Sequence, residues 1–399
     1  MGAGRVLTLS NSSLSCFGQC PKRYEWRYIQ RLVRPLSRPP LAFGQLLHAA
    51  REAYWIAIQA RASTPERERA PLRDVLQLVC DVAIRDWANA RREEYLRHIK
   101  AHGIDAEVET ALSDEGPDSI AGMEALVREM MRYYAEKWGD QDEQVWEVLA
   151  VEQELTAPLL RSATGATVLY AGKIDLLLRS RDTGAVFVVD HKSTVSSNPD
   201  RYNADLDQSP QMMGYVWLIE RALGIRVQGA IYDVQRKRVP ESPSVLKQAR
   251  QGRKLSIAAD TTPELYRHAI DQHDPGNEAA YEDIMRKLDA RGDTFAWRYQ
   301  YSLPDDVAAL WEESQREAAR ALRRCGWKGN RYHRVLGNCI PWAGSPCDYR
   351  VLCLTPGGQD DPWLRNAYDV AKGEPGTPIE LQLESPESPA TPRDDDCPF

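Results

Sequence analysis

The sequence predicts an α/β fold, a central sheet flanked by helices, and three observations predict it. From Val145 to Val234 strand-length apolar runs and one helix-length run follow in the order three strands, helix, strand. Residues 61–144, just before, are charged and helix-forming. The whole chain of 399 residues is 43% hydrophobic and 27% charged with a mean hydropathy of -0.52, enough for a sizeable core and too polar for a membrane span. Its length suits about two or three domains' worth of mass.

Taken in order, residues 1–60 form an N-terminal helical part, broken at the proline-rich turn from Arg34 to Pro40. Residues 61–144 are expected as a helical insertion, with Leu76, Val79, Cys80, Val82 and Ile84 as its apolar stripe and Gly116-Pro117 as a break. Residues 145–235 hold the core strands VWEVLAVEQELTAPL, ATVLYAGKIDLLLRS and AVFVVDHKS, a helix from about Ala204 to Leu223, and the strand VQGAIYDVQ. Residues 236–355 return to helix around a possible strand TFAWRYQYSL and close on a loop-rich, cysteine-bearing segment. Residues 356–399 read as a linker and a disordered acidic tail, proline-punctuated with little to bury.

The net charge of -7 is unevenly placed. Residues 372–399 set Lys372 and Arg393 against seven acidic residues, Glu374, Glu380, Glu384, Glu387 and Asp394 to Asp396; that net of -5 leaves -2 on residues 1–371. A near-neutral body is compatible with a basic groove for nucleic acid. The N-terminus lacks the apolar block of a secretory signal, so the expected compartment is the cytoplasm. There, eight cysteines point to metal or cluster ligation rather than disulfides.

Gly172-Lys173-Ile174-Asp175 ends one strand and Asp190-His191-Lys192 the next. Paired as a hairpin, the two strands bring Asp175 and Asp190 to one end of the sheet. Two carboxylates at close range are commonly reconciled by a hard divalent cation, Mg2+ or Mn2+. Lys192 shares the face of Asp190 by period-two alternation, where an ammonium can orient water or offset phosphate charge. His48 lies four residues after Gly44 on a helix, Gln211 and Tyr215 share a face at i, i+4, and Glu152 in the preceding strand is a possible additional carboxylate, with Glu154 less favoured.

In this order the residues resemble the PD-(D/E)XK nuclease superfamily, RecB-like branch: G-x-x-x-H, then G-K-I-D, then acidic-x-K, then Q-x-x-x-Y. The resemblance implies a restriction-endonuclease-like core. It also implies a metal bound by His48, Asp175, Asp190 and the backbone carbonyl of His191, a catalytic Lys192, and DNA placed by Gln211 and Tyr215. Asp190 stands where many relatives carry Glu. The expected activity is that of a deoxyribonuclease, most simply an exonuclease of recombination, repair or viral DNA processing, with a non-catalytic DNA-binding scaffold as the alternative. Its DNA would be single-stranded or have accessible ends. No G-x-x-x-x-G-K-[ST] loop occurs, so the chain shows no ATP motor of its own.

One early cysteine, Cys20, and three late ones, Cys339, Cys347 and Cys353, suit a four-thiolate site for [4Fe-4S] or zinc, with Cys16 and Cys325 as substitutes and Cys80 and Cys397 as bystanders. The resemblance to relatives with an AddB-type iron-sulfur staple favours [4Fe-4S]. The aromatic and basic segments Lys22 to Tyr28 and Arg323 to Arg334 suit phosphate contact with base stacking, although Tyr24 and Tyr28 equally suit a core. The basic residues of Gln235 to Arg238 and Arg250 to Lys254 are read as solvated or as lining an entry groove. The terminal Arg393 to Phe399 resembles the acidic Pro-Phe tip of bacterial single-stranded DNA-binding proteins, with Cys397 in the place of Ile, and implies repair proteins that recognise such a tip.

Overall fold

The computed structural model describes residues 6–161, 167–206, 209–302, 306–325, 332–339, 346–358, 360–372 and 378. Strand β1 (Leu7–Leu9) leads into α1 (Asn11–Gln19), whose start is fixed by a reciprocal cap: the Ser13 N–H donates to Ser10 Oγ at 3.1 Å and the Ser10 N–H to Ser13 Oγ at 2.8 Å. Helix α2 (Pro21–Tyr24) runs into a wider turn, Glu25–Ile29, and β2 (Leu32–Val33) follows. Two prolines open α3 (Pro39–Ala62), where their fixed φ suits the first helical turn. Helices α4 (Leu72–His102), α5 (Ala106–Leu112) and α6 (Ile120–Val145) make up the helical stretch. A break not anticipated falls at Gly103, whose φ of 86° ends α4.

Strands β3 (Trp146–Arg161), β4 (Thr167–Ser180) and β5 (Val186–Thr194) are antiparallel neighbours in the order β3-β4-β5. The crossover helix is two helices, α7 (Pro199–Leu206) and α8 (Pro210–Leu223), since Pro210 starts a new one. It delivers β6 (Gly229–Arg236) parallel to β5, with Asp190 opposite Tyr232 and Lys192 opposite Val234. A hairpin of β7 (Val245–Arg250) and β8 (Arg253–Leu255), then α9 (Pro263–His273) and α10 (Glu282–Arg291), precede β9 (Ala296–Ser302), which pairs antiparallel with β6. The central sheet is therefore mixed. Strand β1, too short to be recognised in the sequence, joins it parallel to β4.

One sheet face packs against α1, α8 and α11 (Val307–Cys325) through Leu14, Phe17, Tyr170, Val188, Trp217, Leu218 and Trp311. The other packs against α3, α4 and α6 through Leu46, Tyr54, Trp55, Leu76, Ile84, Val127, Met130, Leu176 and Ile231. Every α/β layer needs such cover on both faces. Leu255, Tyr266, Ile270, Tyr281 and Leu288 form a satellite core beneath the hairpin.

Residues 356–372, expected as a linker, instead fold back. After α12 (Arg350–Leu354) come α13 (Pro362–Arg365) and β10 (Asp369–Val370), which pairs with β2, while Leu364 and Tyr368 pack beside Trp26, Leu32, Tyr349 and Leu352. The acidic tail from residue 379, Cys397 and the Pro-Phe tip lie outside the described residues, as do Trp327, Lys328 and Arg331. Among the described residues no helix is long and apolar enough to cross a membrane.

Candidate active site

On one edge β4 pairs with β3; on the other it pairs with β1 at Val168 to Tyr170 and with β5 at Leu176 to Arg179. The intervening residues 171–175 have no strand partner on that edge, and Asp175 and Asp190 are the first residues beyond the last β4–β5 pair, Leu176 with Val189. The strands fork there. Asp175 Oδ2 fills the fork by accepting the His191 N–H at 2.8 Å.

Helix α3 packs Leu46, Leu47 and Ala50 into the core and leaves His48 at the mouth of this fork, its side chain 37% exposed. His48 Nδ1 lies 3.6 Å from Asp175 Oδ2 and 3.7 Å from Glu152 Oε1, and His48 Nε2 is 3.2 Å from the backbone oxygen of His191. Among the described residues His48, Glu152 and Asp175 form the one group of three potential ligands whose atoms all lie within 4.8 Å of one another. Glu152, which the sequence offered only as a possible extra carboxylate, has φ of 48°. That left-handed conformation costs a non-glycine residue roughly 1–2 kcal/mol. The kink is held by Lys173 Nζ, 2.8 Å from Glu152 Oε2.

Asp190 is buried and paired with the Lys192 ammonium. Gln211 of α8 donates from Nε2 to Asp190 Oδ1 at 3.2 Å and to the Tyr215 hydroxyl at 2.8 Å, and its Oε1 accepts from Lys192 Nζ at 3.4 Å. Tyr215 is itself buried, so it orients Gln211 instead of facing a ligand. Gly172 is closely packed: a Cβ there would meet Leu218 Cδ2 at 3.2 Å and Tyr215 Cε1 at 3.4 Å, so these side chains would have to give by a few tenths of an ångström. Gly44 is different, because a Cβ there would meet nothing within 4 Å; the fold leaves an open approach one turn before His48.

The charges shift one another. Burial opposes protonation of His48, but Asp175, Glu152 and Asp190 outweigh it and raise its pKa to about 9. Burial, with Asp190 and Glu152 nearby, raises Asp175 to about 7, against the pull of His48. Glu152 is lowered despite burial by His48 and Lys173, and Lys192 is raised despite burial, chiefly by Asp190.

The side chain of His191 turns to the opposite face, where Nδ1 lies 3.2 Å from Asp233 Oδ2. Asp233 also pairs with Arg51 and accepts the Tyr134 hydroxyl at 2.6 Å; Arg298 lies 3.6 Å from Asp233 Oδ1 and bonds Asp142 at 2.5 and 2.8 Å. Sequence reading missed this network. The signals were there, an arginine three residues after His48 on an apolar helix and an aspartate inside the buried run IYDVQ.

Cys20, Cys339, Cys347 and Cys353 line one cavity with Arg23, Arg334 and Tyr349. The Cys347 N–H donates to the Cys339 oxygen at 3.0 Å, the Trp26 indole N–H to Cys353 Sγ at 3.2 Å, and the Val335 N–H to Cys20 Sγ at 3.5 Å. Of the substitutes, Cys16 is buried among apolar residues and Cys325 faces a separate depression with Phe17 and Ala321. Cys80 sits in the helical core, burial raising its thiol to about 12. Tyr24, Trp26 and Tyr28 are buried, which removes them as stacking platforms for bases.

No curated protein matches the chain. The family model described as the PD-(D/E)XK nuclease superfamily matches residues 8–354.

Proposed function

The chain belongs to the PD-(D/E)XK nuclease superfamily, and from that premise we propose that it is a metal-dependent deoxyribonuclease, working as an exonuclease on single-stranded DNA or accessible ends. The observation that carries the reading is the convergence of His48, Glu152 and Asp175 at the strand fork, with Asp190 and Lys192 beside it. This donor set of one imidazole and several carboxylate oxygens, with the His191 carbonyl within reach, fits Mn2+ or Mg2+. When bound, such a cation lowers the pKa of a water and offsets phosphate charge.

The chain's own groups do the rest. Lys192, restrained by Asp190 and Gln211, presents an ammonium where negative charge develops on phosphorus-bound oxygen. Gln211, held by Tyr215, fixes the Asp190 carboxylate against rotation. Lys173 holds Glu152 toward His48. Open space at Gly44 lets a phosphate backbone approach α3 closely. End-labelled single- and double-stranded DNA digested with Mn2+ tests the reading: wild type is expected to shorten the label progressively, whereas Asp190→Ala and Lys192→Ala are not. Equal digestion by all three overturns it.

We further propose that Cys20, Cys339, Cys347 and Cys353 hold a structural [4Fe-4S] cluster tying the two ends of the core together. One feature supports it: the four thiols, ligands that suit a cubane as well as zinc, line one cavity. Anaerobically purified protein is expected to absorb in the visible blue, with Cys347→Ala losing the band and Cys325→Ala keeping it; colourless protein carrying stoichiometric zinc contradicts the assignment.

A further inference from the structure

The hairpin β7–β8 is charged in one sense only. Residues 242–259 carry Lys247, Arg250, Arg253 and Lys254 and no acidic residue, on a body whose net charge is close to zero. Lys247 and Arg250 lie exposed on β7, the outer strand, and among the described residues neither has an acidic partner. Lys254 is exposed and 3.2 Å from Asp274.

The ribbon is built to keep its shape. Gln251 and Gly252, with φ of 53° and 76°, form a tight turn of the hand that matches strand twist. Asn277 donates to the Gly252 oxygen at 2.8 Å, and the Tyr281 hydroxyl accepts the N–H groups of Lys254 and Leu255 at 2.9 and 3.1 Å. At the base, the Glu241 N–H donates to the Asp260 oxygen at 2.9 Å and Arg236 pairs with Asp260 at 2.7 Å. At the usual strand rise β7 spans about 20 Å and β8 about 10 Å, joined at the pairs Val245–Leu255 and Arg250–Arg253 with an irregularity between them.

Its placement relates it to the site. Strand β6 runs parallel to β5, so the chain leaves β6 at the end of the sheet that carries Lys192: Arg236 pairs with Thr194, two residues beyond Lys192, and the Lys237 N–H donates to the Thr194 oxygen at 2.8 Å. Lys237 then lies over the ring of Phe43, next to Gly44 at the open approach to His48.

We propose that this ribbon grips the sugar-phosphate backbone of duplex DNA and guides it toward the strand fork, an inference that rests on the nuclease reading above. Residues 241–260 contain no aromatic side chain, so stacking on unpaired bases is not available to the ribbon and it holds DNA through phosphates. A two-stranded ribbon also has the width that a duplex major groove admits. Such binding is independent of sequence and steeply dependent on salt.

The test is binding and digestion by the full chain carrying Lys247→Ala and Arg250→Ala together, two exposed positions that leave the Leu255 core intact. On a fluorescent duplex the double variant is expected to bind about 10-fold more weakly, with the slope of log K against log salt smaller by about 1.8, or about 0.9 for each phosphate that is no longer neutralised. At saturating DNA its cleavage rate is expected to equal that of wild type. If wild type cleaves DNA and the variant keeps wild-type duplex affinity and salt slope, the ribbon's role is overturned alone. Weaker binding confined to single-stranded DNA overturns the duplex assignment. A wild type that neither binds nor cleaves DNA overturns the nuclease reading, and the ribbon's role with it.

Discussion

The two faces of β5 treat charge in opposite ways, although three consecutive residues supply both. On the inner face His191 pairs with Asp233, which in turn meets Arg51, Tyr134 and Arg298, the last bonded to Asp142; all but Arg298 are deeply buried. There two guanidinium groups balance two carboxylates, and burial holds the His191 imidazole in its neutral form by pushing its pKa down. Asp190 and Lys192, on the site face, sit beside His48, Glu152, Lys173 and Asp175, where the carboxylates outnumber the two ammonium groups and the excess is offset by protons that His48 and Asp175, raised to about 9 and about 7, can hold. A balance made by fixed side chains is structural. A balance that depends on removable protons can be taken over by a metal ion.

The largest expected effect separates the faces most sharply. Asp190→Ala is expected to lower the DNA cleavage rate by about 100- to 10,000-fold, the usual scale for removing a group that acts on the reacting atoms, with little change in the urea midpoint. Asp233→Ala is expected to do the reverse. It strands Arg51 in the core and costs about 3–5 kcal/mol of stability by urea denaturation, while the folded fraction keeps cleavage within about 10-fold of wild type. If both substitutions lower activity equally at equal stability, the division between the faces fails.

This contrast also marks how much was legible in the sequence. Gly44 with His48, Gly172 to Asp175, Asp190 with Lys192, and Gln211 with Tyr215 are local patterns, and each sits where strand alternation or one helical turn can be read directly. The central sheet flanked by helices followed from the order of elements, and the restriction-endonuclease-like core from the resemblance. What escaped depends on distant pairing. Asp233 acquires its meaning only when α3, α6 and β9 bring Arg51, Tyr134 and Arg298 around it, and the backbone kink that sets Glu152, already preferred to Glu154, across from Asp175 has no local signal. The short β1 and the returning β10 have too few residues to show a period.

The central claim is that the fork at Asp175 holds a divalent cation in place of the protons of His48 and Asp175, and Mn2+ titration followed by electron paramagnetic resonance at several pH values tests it most directly. His48 and Asp175, raised to about 9 and about 7, must both lose protons to serve as ligands, so affinity is expected to climb as pH rises from about 6 toward 9. The gain is at most about tenfold per pH unit for each proton displaced. Asp175→Asn and His48→Ala, each checked for retained fold by circular dichroism, are expected to abolish tight binding. Mn2+ affinity that stays flat across this pH range, or survives both substitutions, would contradict the account.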